Sequence, residues 1–227
     1  MRILLLNQDW FKAELMEAGH EVKVAGVSSH FDAVLPYPML HIDTILKEHL
    51  GGYSPDLILW LDNSAPLMIL GIEETSIPTA FYSVDTHHHC GVHRHLAHVF
   101  DYSFVAQKDY IPEFEAIGAS AMWLPLYASR YIEASNEKKY GAVFVGTLDA
   151  KLNPDRVKFF EALNEKVPVL TMTGEFWKIF PFSEIVINQT VKGDLNFRVF
   201  EAMMSGALLL TERSPNGLSD LFEDTKH

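Results

Sequence analysis

The chain has 227 residues, of which 48% are hydrophobic and 21% charged, so it is long enough for one large or two small domains and has the composition of an ordinary soluble globular protein. Its formal net charge of −12 argues against nucleic acid or an anionic membrane as a partner, although a nucleotide needs only a local positive pocket. The single cysteine, Cys90, excludes an internal disulfide and suits a reducing cytoplasm.

The N-terminal half alternates short apolar runs with helical patterns. The apolar runs predict strands at residues 2–6, 21–25, 56–61, 79–84, 102–106 and 122–126. Helical patterns lie at 10–18, 41–50 and 108–117, a further helix begins in 66–70, and 28–37 has no clear period. Continuous apolar strands that alternate with helices predict a doubly wound α/β domain with a parallel sheet. The first run, 2–6, is too short for a signal-peptide core or a membrane span.

A polar, charged segment at 129–139 is interpreted as the connection between two domains, 1–130 and 131–227. A second α/β series follows, with predicted strands at 142–145, 167–172, 185–188 and 207–211, the last of them buried. Helices are predicted at 154–164, 176–180, 194–205 and 218–222. This second half is short for a doubly wound domain, so we expect that a C-terminal segment is missing.

In doubly wound sheets, ligands bind beyond the carboxyl ends of the strands. That rule selects loops in both halves, at residues 7–10, 62–64, 85–89, 106–108, 146–147, 173–175, 188–190 and 211–217.

The helix that ends at Gly206 carries one polar stripe on an otherwise apolar surface. Its members, Asp194, Arg198, Glu201 and Ser205, are spaced i, i+4, i+7 and i+11, which places them on one narrow face. A cation beside a carboxylate at the mouth of an α/β unit suits a ligand that has a phosphate and hydroxyl groups. The alternative is the solvated face of an ordinary amphipathic helix.

Residues 85–95 form a second conspicuous cluster, with five histidines behind a predicted strand. In a first interpretation, Asp85, His87 or His88 is a catalytic acid or base, because histidine titrates near neutral pH. In a second, His89 and His93, four residues apart on a helix, hold a metal, with or without Cys90. In a third, these are polar or buried histidines without chemistry. We favour a site at the first few residues of the cluster.

Several segments carry a resemblance to a known family. They are residues 82–89, 104–110, 144–147, Asn188, 194–202, 205–211 and 216–222. Together they resemble GT-B glycosyltransferases of the family 1/4 type, and most closely those described as CgeB-like spore-maturation proteins. The resemblance implies two facing Rossmann-like domains with the active site in the cleft between them. It makes 1–130 the acceptor-side domain and 131–227 an incomplete donor domain for the nucleotide sugar.

The resemblance also implies roles for single residues. Glu201 matches the second glutamate of the family's paired-glutamate motif, which binds the ribose hydroxyls of the donor, and Arg198 is placed to meet the diphosphate. The other implied donor-site residues are Gly146 and Thr147, which let the backbone approach the diphosphate, and Asn188, Asn196, Asn216 and Gly217. From the other domain, Asp85, His87 and His88 face the reacting sugar and the acceptor.

We therefore expect a cytoplasmic, metal-independent transferase that moves a sugar from a UDP- or GDP-type donor to an acceptor that the sequence does not identify. No cofactor, nucleic-acid partner or membrane span is expected, and the oligomeric state is not predicted. One alternative is a non-catalytic or truncated sugar-nucleotide binding protein, because we expect a missing C-terminal segment and because Gly193 stands near the position of the motif's first glutamate. A less favoured alternative is a metal-binding protein that uses residues 87–95.

Overall fold

The computed structural model describes residues 1–36, 39–62 and 68–224, and the chain divides into two units. Unit 1 is Met1–Pro125 and unit 2 is Leu126–His227. None of the helices in the described ranges has the length and apolar character needed to cross a lipid bilayer.

Unit 1 contains a parallel sheet in which the first strand of the chain lies near the middle and later strands lie toward the two edges. Its strands are β1 (Arg2–Leu6), β2 (Glu21–Gly26), β3 (Ala33–Val34), β4 (Met39–His41), β5 (Leu57–Leu61), β6 (Met68–Leu70), β7 (Thr79–Ser83), β8 (Tyr102–Val105) and β9 (Met122–Trp123). Seven of them form one sheet in the order β3-β2-β1-β5-β7-β8-β9, and all of its pairings are parallel. The order reverses between β1 and β5, which is the switch point of a Rossmann-like sheet.

Short helices connect these strands. They are α1 (Lys12–Glu17), α2 (Ile42–Thr44) with a π-helical continuation (Ile45–His49), α3 (Thr86–Leu96) and α4 (Ile111–Glu115), the last preceded by a 3₁₀ turn (Lys108–Tyr110). The core lies along the central strands, where Leu4, Ile58 and Phe81 are almost completely buried. Their burial explains why the strands read as continuous apolar runs rather than as alternations.

Unit 2 contains a four-stranded parallel sheet. Its elements are β10 (Tyr140–Val145), α5 (Pro154–Asn164), β11 (Val169–Met172), β12 (Ser183–Asn188), α6 (Phe197–Met204), β13 (Leu208–Thr211) and α7 (Leu218–Leu221), with 3₁₀ turns at Phe176–Lys178 and Phe180–Phe182. The order across the sheet is β11-β10-β12-β13, and all three pairings are parallel. Val143, Phe180 and Val186 form the centre of its core.

Most predicted strands are confirmed, but one predicted helix is wrong. Residues 68–70, expected to belong to a helix, form β6 and pair in parallel with β4, while 63–67 lie outside the described residues. A short apolar run does not distinguish a helix from a strand, and here pairing with β4 stabilises the strand. The helix predicted at 41–50 begins only at Ile42, because His41 ends β4. The short strand β3, inside 28–37, was not predicted, since two residues show no period.

Two details of the predicted second half are also wrong. The strand at the end of the sheet is not buried, because β13 is an edge strand on which Leu208 and Leu210 are 61% and 56% exposed. Helix α6 begins at Phe197, with Asn196 as its N-cap, so Asp194 lies before the helix. The Asp194 carboxylate instead accepts a hydrogen bond from the Val191 amide at 2.6 Å, which closes a turn in the preceding loop.

Candidate functional site

Unit 2 has a cavity of about 360 Å³ beyond the carboxyl ends of β10, β11 and β12. Its lining residues are Val145, Gly146, Arg156, Gly174, Phe176, Asp194, Asn196, Phe197, Arg198 and Glu201. The lining therefore comes from the ends of three parallel strands and the loops after them, from the first turn of α5 and from the N-terminal half of α6. This is where ligands bind in open α/β sheets.

Arg198 is held at the cavity by the ends of two strands. Its Nε donates to the Val145 carbonyl at 3.0 Å and its Nη1 donates to Asn188 Oδ1 at 2.8 Å, while the guanidinium lies 4.6 Å from the centre of the Phe144 ring. Burial, together with the nearby charge of Arg156, lowers the pKa of Arg198 to about 10, so the group stays charged at neutral pH. Among the described residues its Nη2 has no hydrogen-bond partner.

Gly146 makes room for this guanidinium. A Cβ on Gly146 would collide with Arg198 Nη2 and would lie 2.8 Å from the Phe144 ring. The absence of a side chain here therefore lets the cation lie against the backbone that lines the cavity. A cation in the first turn of α6 adds to the positive end of the helix dipole instead of offsetting it, which favours an anionic ligand at this place.

Arg156 supplies a second cation that the sequence analysis did not identify. It lies in the first turn of α5 and is 8% exposed. Its Nε and Nη2 donate to the side-chain and backbone oxygens of Gln189, each at 2.9 Å, and its Nη1 donates to the Thr147 carbonyl at 3.5 Å. Burial lowers its pKa. The sequence did contain one signal for this residue. Arg156 lies in the first turn of a predicted helix, where the helix dipole disfavours a cation, so its presence there indicates a specific role.

Glu201 brings a carboxylate to the same cavity. It is 6% exposed, and its Oε1 accepts a hydrogen bond from the Ser129 hydroxyl at 2.5 Å. Burial raises the pKa of Glu201, whereas Ser129 and the charge of Arg198 oppose that rise. Ser205, the last residue of the predicted stripe, is fully buried and donates to the Ala202 carbonyl at 2.6 Å. The interpretation of this stripe as a solvated helix face is therefore wrong.

The predicted asparagines of the site have different environments. Asn188 is 2% exposed and lies between Arg198 and Thr211. Its side-chain oxygen accepts a hydrogen bond from Arg198 Nη1, and its side-chain nitrogen donates to the Thr211 hydroxyl at 3.0 Å. It therefore holds Arg198 and is not among the residues that line the cavity. Asn196 does line the cavity, and its Oδ1 is buried without a partner in the described part of the chain.

Asn216 and Gly217 lie away from the lining of the cavity. Asn216 and Ser214 both donate to the Gly193 carbonyl, at 2.8 Å and 2.5 Å, and so hold the loop before α6. Gly217 is the N-cap of α7, with a φ of +92° that favours glycine. The Thr147 carbonyl accepts a hydrogen bond from Arg156, and Thr147 is not among the described residues that line the cavity. The predicted binding roles of these residues stay predictions.

In unit 1, the predicted catalytic residues meet at the carboxyl end of β7. The Asp85 amide donates to Asp62 Oδ2 at 3.1 Å, and Asp85 is the N-cap of α3. The rings of buried His87 and exposed His88 lie 4.2 Å apart. The fold therefore places these three residues at the carboxyl end of β7, a ligand-binding position of the sheet.

His93 belongs to a buried polar network. Its Nδ1 forms a hydrogen bond of 2.8 Å with the Ser83 hydroxyl, and its Nε2 lies 3.6 Å from Asp62 Oδ1. Burial lowers the pKa of His93, which favours the neutral ring. Because both ring nitrogens face protein groups, His93 is not available to a metal shared with His89. Within the described ranges no set of three His, Cys, Asp or Glu side chains is arranged to hold a metal ion.

Cys90 does not have the properties of a nucleophile. Burial raises the pKa of its thiol, and the nearby Glu113 carboxylate acts in the same direction. A reactive cysteine requires a lowered pKa.

Comparison with known proteins gives two findings. Residues 156–227 match a family model described as "Glycosyl transferase-like". The chain is also similar to the crystal structure of Anabaena Alr3699/HepE in complex with UDP and glucose, with a TM-score of 0.57 and 12% sequence identity over 98% of this chain and 83% of that chain. The search of curated proteins finds no match.

These findings confirm the predicted fold class, which is α/β and GT-B-like with Rossmann-like units. The family model begins at Arg156 and also covers Asp194, Arg198 and Glu201, so the matched segment carries all four charged residues that line the cavity in the described part of the chain. The CgeB-like assignment is finer than these findings and stays a prediction.

Proposed function

We propose that this protein is a glycosyltransferase that binds a nucleoside diphosphate sugar in the cavity of unit 2. The observation that carries the proposal is the Arg198 guanidinium, which is charged, largely buried and fixed by two hydrogen bonds, with Nη2 unpartnered beside Gly146. A buried cation whose bonding capacity is incomplete is a site for an anionic group. The similarity to a structure that contains UDP and glucose supports a nucleoside diphosphate as that anion.

Two arginines make the pyrophosphate the best candidate for the bound group. Arg198 and Arg156 both line the cavity, and the pKa of Arg198 is lowered first by burial and further by the charge of Arg156. A ligand with two negative phosphates would relieve this repulsion. In transfer, the bond between the sugar's anomeric carbon and the diphosphate breaks, and the electron pair leaves with the diphosphate. These cations would stabilise that leaving group, so we propose catalysis without a metal.

Glu201 is the proposed contact of the donor ribose. A carboxylate accepts hydrogen bonds through both oxygens and so suits a vicinal diol. Glu201 lines the same cavity as Arg198, in the next turn of α6. This arrangement supports a ligand that combines a diphosphate with a ribose.

The acceptor side of the reaction is proposed for unit 1. The acceptor oxygen must lose a proton as it bonds to the anomeric carbon, and Asp85, His87 and His88 are the candidate bases. Their place at the carboxyl end of β7 supports this role.

Donor hydrolysis separates a transferase from a pure binding protein. In the absence of acceptor, a transferase should slowly hydrolyse its donor and release the nucleoside diphosphate, whereas a pure binding protein should not.

Ligand-dependent thermal stability tests the proposal. The panel contains UDP, GDP, ADP, CDP and dTDP with their glucose and mannose derivatives, with and without EDTA. A nucleotide at a hundred times its dissociation constant should stabilise the protein by about 2.7 kcal/mol, and EDTA should not change that result. Absence of stabilisation by every nucleotide would contradict the proposal.

Arg198→Ala should weaken binding of the selected nucleotide roughly ten- to hundredfold, because a hydrogen-bonded charge pair is lost. Calorimetry measures this change. Arg213→Ala is the matched control, since the Arg213 side chain is 97% exposed and its ion pair within the described residues is with the exposed Asp224. Arg198→Ala should also cost about 1–3 kcal/mol of unfolding free energy, because it leaves buried acceptors unpaired. Equal affinity in the two variants would show that Arg198 is a structural cation.

A further inference from the structure

A short segment at the start of unit 2, residues 127–130, lies against the wall of the cavity. The Tyr127 ring meets the Phe197 ring edge-on at 5.8 Å, and the Arg130 guanidinium lies 3.9 Å from the centre of the Trp177 ring. Between these two contacts, Ser129 donates to Glu201 Oε1. Phe197 and Glu201 both line the cavity, and Trp177 follows the lining residue Phe176. The segment is therefore fixed on both sides of its hydrogen bond to Glu201.

The hydrogen bond from Ser129 stabilises the charged form of the buried Glu201 carboxylate. A carboxylate that is buried away from water favours its neutral, protonated form, which donates one hydrogen bond and accepts less well. The groups that oppose protonation of Glu201 are Ser129, Arg198 and Arg130. Of these three described residues, Ser129 is the one that hydrogen-bonds directly to the carboxylate, through its hydroxyl at 2.5 Å with support from its backbone, and so it also fixes the orientation of the carboxylate.

We propose that Ser129 is a positioning residue that fixes the Glu201 carboxylate for the two ribose hydroxyls of the bound nucleotide. The inference rests on the proposed function and adds to it a residue outside the α6 segment. Ser129 acts as a donor and occupies one lone pair, so the carboxylate keeps acceptor positions for the diol. The nearby contacts of Tyr127 and Arg130 hold the Ser129 hydroxyl in place.

The test compares ribose with dideoxyribose. UDP, GDP and their 2′,3′-dideoxy counterparts are titrated into the whole protein by calorimetry from pH 5 to pH 8. The variants are Ser129→Ala, which removes the hydroxyl, and Ser129→Thr, which keeps it. Ser135→Ala is the matched control, because Ser135 lies in the same region but donates to the Glu137 carbonyl.

The wild type should prefer the ribose form, and Ser129→Ala should reduce that preference about tenfold, the order expected for one hydrogen bond to a charged group. Binding of the dideoxy form should not change. Removing the donor also raises the pKa of Glu201, so the preference should be lost at a higher pH in Ser129→Ala than in the wild type. Ser129→Thr and Ser135→Ala should behave like the wild type.

Three results would overturn the inference. An unchanged ribose preference in Ser129→Ala would overturn it while leaving the proposed function intact. Equal losses of affinity for the ribose and dideoxy forms would show that Ser129 only supports the local structure. Absence of nucleotide binding by the wild type would overturn the inference together with the proposed function.

Discussion

At the scale of single residues, Arg198 is a cation that hydrogen bonds to the ends of two strands hold at the unit 2 cavity. The spacing of Arg198 and Glu201 predicted that the two side chains share one face, and both line the cavity. Arg156 and Ser129 were not predicted as parts of the site. Each reaches it by a contact across 33 or more residues of sequence, Arg156 with Gln189 and Ser129 with Glu201. Spacing within one helix contains no information about such contacts.

Gly146→Ala should displace the Arg198 guanidinium, because the new Cβ would collide with Nη2 and would lie too close to the Phe144 ring. Overpacking of this kind costs about 1–3 kcal/mol of unfolding free energy, and affinity for the nucleoside diphosphate should fall with it. Calorimetry and urea unfolding measure the two effects. Gly141→Ala, in the strand β10 that Gly146 directly follows, is the control, since nothing lies within 4 Å of a Cβ built on Gly141. Indistinguishable behaviour of the two variants would contradict this role of Gly146.

Protonation of His93 should destabilise the protein. Burial lowers the pKa of His93 in the folded state below its usual 6.5, so the unfolded state binds more protons near that pH. The stability contribution is therefore fully present above about pH 6.5 and is lost as the pH falls through the lowered folded-state pKa. Urea unfolding between pH 8 and pH 5 should show a smaller acid-dependent loss in His93→Gln than in the wild type. His95→Gln controls for removal of an exposed histidine from α3, and identical pH profiles of wild type and His93→Gln would contradict the prediction.

At the scale of the elements, the order and type of most strands and helices followed from the sequence, but their packing did not. The pattern at 207–211 predicted a buried strand, and the structure places it at the edge of its sheet. Both situations produce the same apolar run, because position in a sheet depends on long-range pairing. Long-range pairing also determines the conformation of residues 68–70, which form the strand β6 in a pair with β4.

Apolar residues of neighbouring strands in unit 2 should therefore differ in their contribution to stability. Ile187 in β12 is 5% exposed, and Ile187→Ala should cost about 2–5 kcal/mol of unfolding free energy. Leu210 pairs with it across the strands but is 56% exposed, so Leu210→Ala should change stability by about 0.5 kcal/mol or less. Urea unfolding of the two variants checks this prediction, and a larger loss in Leu210→Ala would show that another part of the protein covers this edge.

At the scale of the whole molecule, the chain is acidic, yet it places cations at one cavity. The net charge is −12, while the buried Arg156 and the half-buried Arg198 line the cavity of unit 2 beside Asp194 and Glu201. A small anionic ligand can pair with two such arginines although the protein as a whole is acidic. The net charge is a property of the composition, whereas the place of the cavity required the fold. The division of roles between the two units stays a prediction.

A crystal structure of the protein with the nucleoside diphosphate selected by the thermal panel tests the central claim most directly. The account predicts that the diphosphate lies beside Arg198 Nη2 and the Gly146 backbone, and that the ribose hydroxyls contact Glu201. A nucleotide bound elsewhere, or one bound in this cavity with the diphosphate away from Arg198, would contradict the account.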